Sequence, residues 1–241
     1  MICRNAMKSI MQSGHTTIDS LETQSPEEIL RWTLDRFHPH VAIATSFQDA
    51  VLLHMASRIR PDVRIFSLDT GRLPEETYAF AEAVRLRLNL SIEWVFPKHE
   101  AVETLERAKG LYSFRESLEA RKACCAIRKV EPLNRALTGL KAWVTGLRRE
   151  DGETRAELKV VEVDEAHGGI LKINPLAHWT SVAVEAYVRQ HGLPVHRLTE
   201  RGYPSIGCAP CTRAVEPGQP LRSGRWWWEN PEHKECGLHG R

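Results

Sequence analysis

The stretch VAIATSFQDAVLLHMASRI, Val41–Ile59, decides the fold. VAIAT (Val41–Thr45) is a short apolar run of the length of a buried strand. The residues that follow, SFQDAVLLHMASRI, carry apolar side chains at Val51, Leu52 and Met55, the spacing of one helix face. Between the two lies a polar tip. A strand that runs straight into a helix is the first half of a crossover unit, the connection that parallel strands require.

The same unit recurs on either side. SPEEILRWTLDRFH (Ser25–His38) opens with a serine cap and a proline at the first helical position, then places Ile29, Leu30, Leu34 and Phe37 at helical intervals. VRIFSLDTG (Val63–Gly71) is a second strand with a polar tip, LPEETYAFAEAVRLRL (Leu73–Leu88) a helix, and SIEWVFP (Ser91–Pro97) a third strand. Further on, Lys122–Leu137 reads as a helix and KAWVTGLRR (Lys141–Arg149) as a strand, while SVAVEAYVRQHG (Ser181–Gly192) is a helix closed by glycine. LKVVEVD (Leu158–Asp164) and GILKINPL (Gly169–Leu176) are expected to pair as a hairpin. The alternation predicts an α/β fold, a mainly parallel sheet with helices on both faces. Residues 1–24 read as a poorly ordered extension, 25–217 as the α/β domain and 218–241 as a mobile C-terminal segment rich in Gly, Pro, Arg and Trp.

Composition narrows the function. The 241 residues carry a net charge of only +2, with no basic block suited to a nucleic acid. Positive charge is gathered instead in short groups, Arg148–Arg149 and Arg222–Arg225, which suit a small anion. No apolar run is long enough to cross a bilayer, and MICRNAMKSIMQSGHTT lacks the apolar core of a secretory signal, so a cytoplasmic location without membrane contact is expected. In that reducing setting cysteines bind metals or react. Cys3 has no evident partner there.

In open α/β sheets ligands sit beyond the carboxyl ends of the strands, where this chain places TSFQDA, LDTGRLPEE and TGLRRED. Backbone N–H groups near Ser46, Phe47 and Gln48 are expected to open the following helix and hold an anion. Neither a Walker A sequence nor a G-x-G-x-x-G fingerprint is present, and each tip alone reads equally well as a helix cap.

The cysteines say more. Cys124 and Cys125 are adjacent, and Cys208 and Cys211 have C-x-x-C spacing. Four thiolates in that pattern can surround an iron–sulfur cluster or a zinc ion, and a lone C-x-x-C can be a redox dithiol. Neighbours on a helix diverge by about 100°. They can take different irons of a cubane more easily than one zinc, which favours the cluster; unliganded core thiols are the bland alternative. Arg128 and Lys129 each follow a cysteine by four residues, so helical spacing puts them on the cysteines' faces. Cys236 stands outside any periodic element, near Arg222, Arg225, His233, Lys234 and His239 in the sequence. Those groups favour a nucleophilic thiolate; a free surface thiol is the other reading.

CCAIRKVEPL, WVTGLRREDGETRAE, KINPLAHWT, ERGYPSIGCAPCTR, RSGRWWW and KECGLHG occur in that order and together resemble the bacterial assimilatory adenylyl-sulfate (APS) reductases of the PAPS/APS reductase family. The resemblance runs from about Pro26 to the end. It implies a Rossmann-like, adenine nucleotide alpha hydrolase-like fold. The activity implied is thioredoxin-dependent reduction of adenosine 5′-phosphosulfate to sulfite and AMP, in sulfate assimilation and cysteine biosynthesis. It also implies one 4Fe-4S cluster on Cys124, Cys125, Cys208 and Cys211, and Cys236 as the nucleophile that becomes an S-sulfonate. Substrate contacts are implied at Ser46, Asp69, Gly71, Arg128, Lys129, Gly146, Arg155, Arg222, Arg225 and His239. The chain departs from many relatives at Gln48–Asp49, where they read GAED, so a phosphate loop of shorter or different shape is expected. A PAPS reductase on the same fold and a zinc-stabilised nucleotide-binding module are the competing readings; the sequence leaves a homo-oligomer open.

Overall fold

The computed structural model describes residues 18–230 and 237–238. Helix α1 (Pro26–Phe37) starts as its sequence requires, with Ser25 and Glu28 satisfying each other's backbone N–H in a capping box. Strand β1 (Val41–Thr45), helix α2 (Val51–Ile59), strand β2 (Arg64–Leu68), helix α3 (Glu75–Leu88) and strand β3 (Glu93–Val95) complete the first half. Helix α4 (His99–Lys109) follows, then helix α5 (Leu118–Cys125), a π turn over Ala126–Val130 and helix α6 (Glu131–Leu137). Strands β4 (Ala142–Val144), β5 (Val161–Asp164) and β6 (Ile170–Ile173) precede helices α7 (Ser181–His191) and α8 (Arg197–Glu200).

The six strands lie in the order β3-β2-β1-β4-β6-β5, parallel except for the β5–β6 pair, which is the expected hairpin. Alternation along β1 feeds two cores. Val41 and Ile43 pack with α1 and α2 on one face, and Ala42 with Phe66, Trp143 and α6 on the other. Helices cover both faces, as the alternating pattern demands. The strand order runs outward from β1 in one direction and from β4 in the other. That reversal opens a crevice at the carboxyl ends of β1 and β4, the place where doubly wound folds take ligands.

Several expectations need correction. Helix α2 begins at Val51, not Ser46: Phe47 is buried at φ 55°, a left-handed conformation no helix start accepts, and Asp49 Oδ1 takes the Val51 N–H at 3.0 Å. Ser46–Gln48 therefore form a loop and not the first turn of a helix. The helix around the paired cysteines starts at Leu118, where Ser117 Oγ accepts the Ala120 N–H, and it is interrupted by the π turn. Helix α4 is an addition to the expected elements: Ala101, Val102, Leu105 and Ala108 recur at helical intervals, but only Leu105 is buried.

The domain limits shift as well. Residues 18–24 are packed: Leu21 is 1% exposed, and Glu22 accepts hydrogen bonds from Val160 N–H at 2.8 Å and Arg149 Nη2 at 3.1 Å. At the other end, Thr212 and Arg225 form an antiparallel bridge, Trp226 is 1% exposed and Arg121 Nε donates to Glu229 at 2.6 Å. Residues 218–230 thus belong to the domain. Cys3, Cys236 and His239 lie outside the described residues. Among the described residues no helix is long and apolar enough to cross a membrane. Leu21→Ala is expected to cost about 2–5 kcal/mol in urea denaturation, the range for deleting a fully buried leucine side chain. A loss below about 0.5 kcal/mol, within the range of ordinary surface substitutions, would show the segment to be an appendage.

Candidate active site

The crevice is a cavity lined from three strand ends. Thr45, Ser46, Gln48 and Asp49 follow β1, Leu68 and Thr70 follow β2, and Thr145, Gly146, Leu147 and Arg148 follow β4. Leu52, Phe66, Leu133 and Trp143 give it apolar surface, and Lys129, Arg148, Arg155, Arg222 and Arg225 give it positive charge. Leu238 is also in its wall.

These cations are held by few groups. Asp151 fixes two of them, accepting from Arg148 Nε and Nη2 at 3.1 Å on Oδ1 and from Arg155 Nη1 at 3.0 Å on Oδ2. Trp226 serves the others: the Arg225, Arg222 and Lys129 cations lie 4.7, 5.9 and 5.9 Å from its ring centroid, with Arg121 at 4.5 Å. An indole face attracts cations without neutralising them. Arg225 Nη1 donates to Ser205 Oγ at 3.3 Å and to the Ile206 carbonyl at 3.2 Å, while its Nε is buried without a partner. A β-carbon on Gly207 would fall on that guanidinium, so only glycine admits it. Burial pushes the Asp49 carboxyl above its ordinary range, with Arg148 and the Val51 N–H pulling the other way.

Of the substrate residues expected from the sequence, Ser46, Lys129, Gly146, Arg155, Arg222 and Arg225 line this cavity. Asp69, Gly71 and Arg128 do not, and each has another place. Asp69 Oδ1 accepts from the Gly71 N–H at 2.8 Å and from Tyr78 Oη at 3.0 Å, closing the turn after β2 with Gly71 at φ 69°. That turn presents Thr70 and Leu73 to the cavity. Burial, with the Asp69 carboxylate adding to it, pushes the Tyr78 phenol up to about 12. Arg128 donates to the Thr70 carbonyl and to Glu106 Oε1, both at 2.7 Å, and Glu106 Oε1 also takes Arg72 Nη2 at 2.6 Å. The sequence reading did not name Arg148, Asp151 or Trp226 as site residues. Arg148 and Asp151 sit in the TGLRRED tip it had singled out, but nothing local marks Trp226 among three consecutive tryptophans.

The four cysteines come together beside the cavity. All are free thiols; Cys125, Cys208 and Cys211 are buried and Cys124 is half-buried. Cys208 and Cys211 pack with Phe114 and Trp226, and Cys124 and Trp228 against them. Thr70 Oγ1 lies 3.2 Å from Cys208 Sγ. Burial drives the Cys208 thiol up, but Lys129, the Thr70 hydrogen bond, Arg225 and Arg72 outweigh it and the net shift is downward. The others pay for that charge: burial and the Cys208 thiolate push Cys211 up to about 12, with Cys125 adding to the rise, and burial also raises Cys124. The chain alone therefore stabilises one thiolate and opposes the next. A cationic metal centre would remove that opposition, so the donor set fits one. Among the described residues no three His, Cys, Asp or Glu side chains converge as ligands of a single ion.

Comparison with known proteins agrees with this placement. Residues 38–214 match the sequence model of the phosphoadenosine phosphosulfate reductase domain. An adenosine 5′-phosphosulfate reductase of Allochromatium vinosum is 52% identical over 203 residues, 83% of this chain and 79% of that protein. One from Pseudomonas aeruginosa is 45% identical over 226 residues, 91% of this chain and 84% of that protein. Among solved structures, a phosphoadenylyl-sulfate reductase of Candida auris in complex with phosphate superimposes with a TM-score of 0.69 at 30% identity, over 84% of this chain and 98% of that one. On this match of sequence and fold, the chain belongs to the phosphoadenosine phosphosulfate reductase family.

Proposed function

We propose that this protein is an oxidoreductase that converts adenosine 5′-phosphosulfate to sulfite and AMP, in the assimilation of sulfate into cysteine. The observation that carries the reading is the cavity at the β1–β4 switch, where apolar surface for a purine meets Lys129, Arg148, Arg155, Arg222 and Arg225. The identity of about half the residues with enzymes named for this activity supports the same substrate.

The chemistry needs a nucleophile for the sulfate sulfur. Cys236 is the candidate, two positions before Leu238 in the sequence, and Leu238 is in the cavity wall. Its thiolate attacks the sulfur, the S–O bond to the phosphate breaks, and AMP leaves with the bonding pair. The product is a Cys236 S-sulfonate. Lys129 and the arginines offset the charge on the phosphate and sulfuryl oxygens, and because they are held before substrate arrives they need no reorganisation during the step. Thioredoxin then supplies two electrons as a dithiol. One thiolate attacks Cys236 Sγ and expels sulfite, and the second resolves the mixed disulfide and returns Cys236 as a thiol.

Cys124, Cys125, Cys208 and Cys211 would hold one 4Fe-4S cluster. When bound, the cluster supplies a fixed charge beside Lys129 and needs no change of oxidation state. Cys124 and Cys125 are neighbours on a helix and diverge by about 100°, which suits a cubane better than a single zinc. A second reading, turnover of the 3′-phosphorylated substrate, is favoured by the family's description and by the Candida auris structure. Parallel assays separate the two: turnover of adenosine 5′-phosphosulfate at least tenfold faster, a difference of about 1.4 kcal/mol, is expected. The reverse preference would make the second reading the function.

Cys236→Ser is expected to abolish sulfite release while leaving the brown colour and the absorbance near roughly 400 nm of iron-loaded protein unchanged. Wild-type protein mixed with substrate and no reductant should gain a sulfonate on the C-terminal peptide by mass spectrometry. Retained turnover in the serine variant, or no adduct on the wild type, excludes this mechanism. Gly207→Ala should displace Arg225 and weaken substrate by about tenfold or more, the scale of one charge-assisted hydrogen bond. An unchanged KM with unchanged kcat would remove Arg225 from the site.

A further inference from the structure

Gln48 lies in the loop after β1, and the proposed chemistry gives it no task. Its side chain crosses from the loop after β1 to backbone more than 150 positions later. Nε2 donates to the Pro204 carbonyl at 3.4 Å, and Oε1 accepts the Ile206 N–H at 2.7 Å. The Ile206 carbonyl in turn accepts from Arg225 Nη1 at 3.2 Å. One buried residue is thus gripped by the substrate loop through its N–H and by a cavity arginine through its carbonyl. Gly207, whose missing β-carbon leaves room for the guanidinium, comes next, and Cys208 follows.

We infer that Gln48 is a positioning residue for Arg225, setting the 204–206 backbone against which that guanidinium is held. Both polar atoms of the Gln48 amide are engaged with backbone, so its influence on an anion passes through Ile206. Among the described residues the other hydrogen bond of its guanidinium goes to Ser205 Oγ, on the same segment, and the face of Trp226 attracts the cation without defining its rotation. Withdrawing the amide leaves the Ile206 N–H buried without an acceptor, and the segment must shift to satisfy it. Arg225 shifts with the carbonyl it is bonded to. Gln48 is then a brace between the nucleotide loop and the loop that brings in Cys208.

The inference rests on the cavity being the site for adenosine 5′-phosphosulfate. Its test is a double-mutant cycle read by calorimetric binding of that compound to iron-loaded Cys236→Ser protein, where it is not consumed. Gln48→Met and Arg225→Lys are each expected to weaken binding by about tenfold, and the double variant by clearly less than the product of the two, because residues that act through one contact do not add. Amide exchange in the 204–208 segment, measured without ligand, should rise several-fold in the Gln48→Met protein. Losses that multiply to within about twofold, or unchanged exchange, overturn the role of Gln48. Arg225→Lys that leaves binding intact would instead overturn the reading of the cavity. Should the methionine variant fail to fold, Gln48→Asn, whose shorter side chain withdraws the acceptor from Ile206, is judged in the same cycle by the same outcomes.

Discussion

Cations crowded into one cavity repel one another, and the arrangement around this crevice answers that constraint. Lys129, Arg148, Arg155, Arg222 and Arg225 come from three separate parts of the chain and share one space. Two groups recur among their contacts. One aspartate, Asp151, serves two arginines, and the indole of Trp226 lies near three of the cations, with a backbone carbonyl fixing Arg225. A ring quadrupole and a carbonyl dipole orient a charge without removing it, so these contacts leave positive charge for an anionic ligand.

The cysteines face the complementary problem. Thiolates packed together repel, and the same cations relieve part of that repulsion. Lys129 and Arg225 lower the Cys208 thiol from one side while lining the cavity on the other. The anionic ligand and the sulfur donors therefore compete for, and are jointly stabilised by, one set of positive side chains. A change in either partner alters the field seen by the other. That sharing gives a physical reason for the four thiols to stand beside the cavity.

Much of this was legible in the sequence, and the failures have identifiable causes. Strands β1, β2 and β4 could be read because each is a short, mainly apolar run ending in a polar tip, and the tips fixed the site. The hairpin of β5 and β6 was legible as two β-branched runs interrupted by the glycines at 168–169. The loop Ser46–Ala50 was misread because the left-handed Phe47 depends on burial of its ring, 0% exposed, and not on any local preference. Helical spacing puts Arg128 on the face of Cys124, and the resemblance implies a substrate contact for it, but the π turn at Ala126–Val130 alters that spacing. It leaves Lys129 at the cavity and turns Arg128 to Thr70 and Glu106. Packing of residues 18–24 was invisible because its main tie, Glu22 to Val160, spans most of the chain.

The ion pair between Arg121 and Glu229 explains why the C-terminal stretch belongs to the core. Its side chains are 1% and 8% exposed, joined at 2.6 Å, with the guanidinium 4.5 Å from the Trp226 ring centroid. Taking both charges out of water is costly, and a hydrophobic pair of similar volume would stabilise the fold at least as well. What the ion pair adds is asymmetry: if Glu229 pulls away, Arg121 loses its carboxylate partner while it stays buried on α5, the helix that ends in Cys124 and Cys125. Departure of this segment is penalised more heavily than loss of an apolar contact would be. The penalty falls on the same helix that carries two of the sulfur donors, so the register of residues 225–229, and with it the placement of Arg225 and Trp226, is tied to the cysteine shelf.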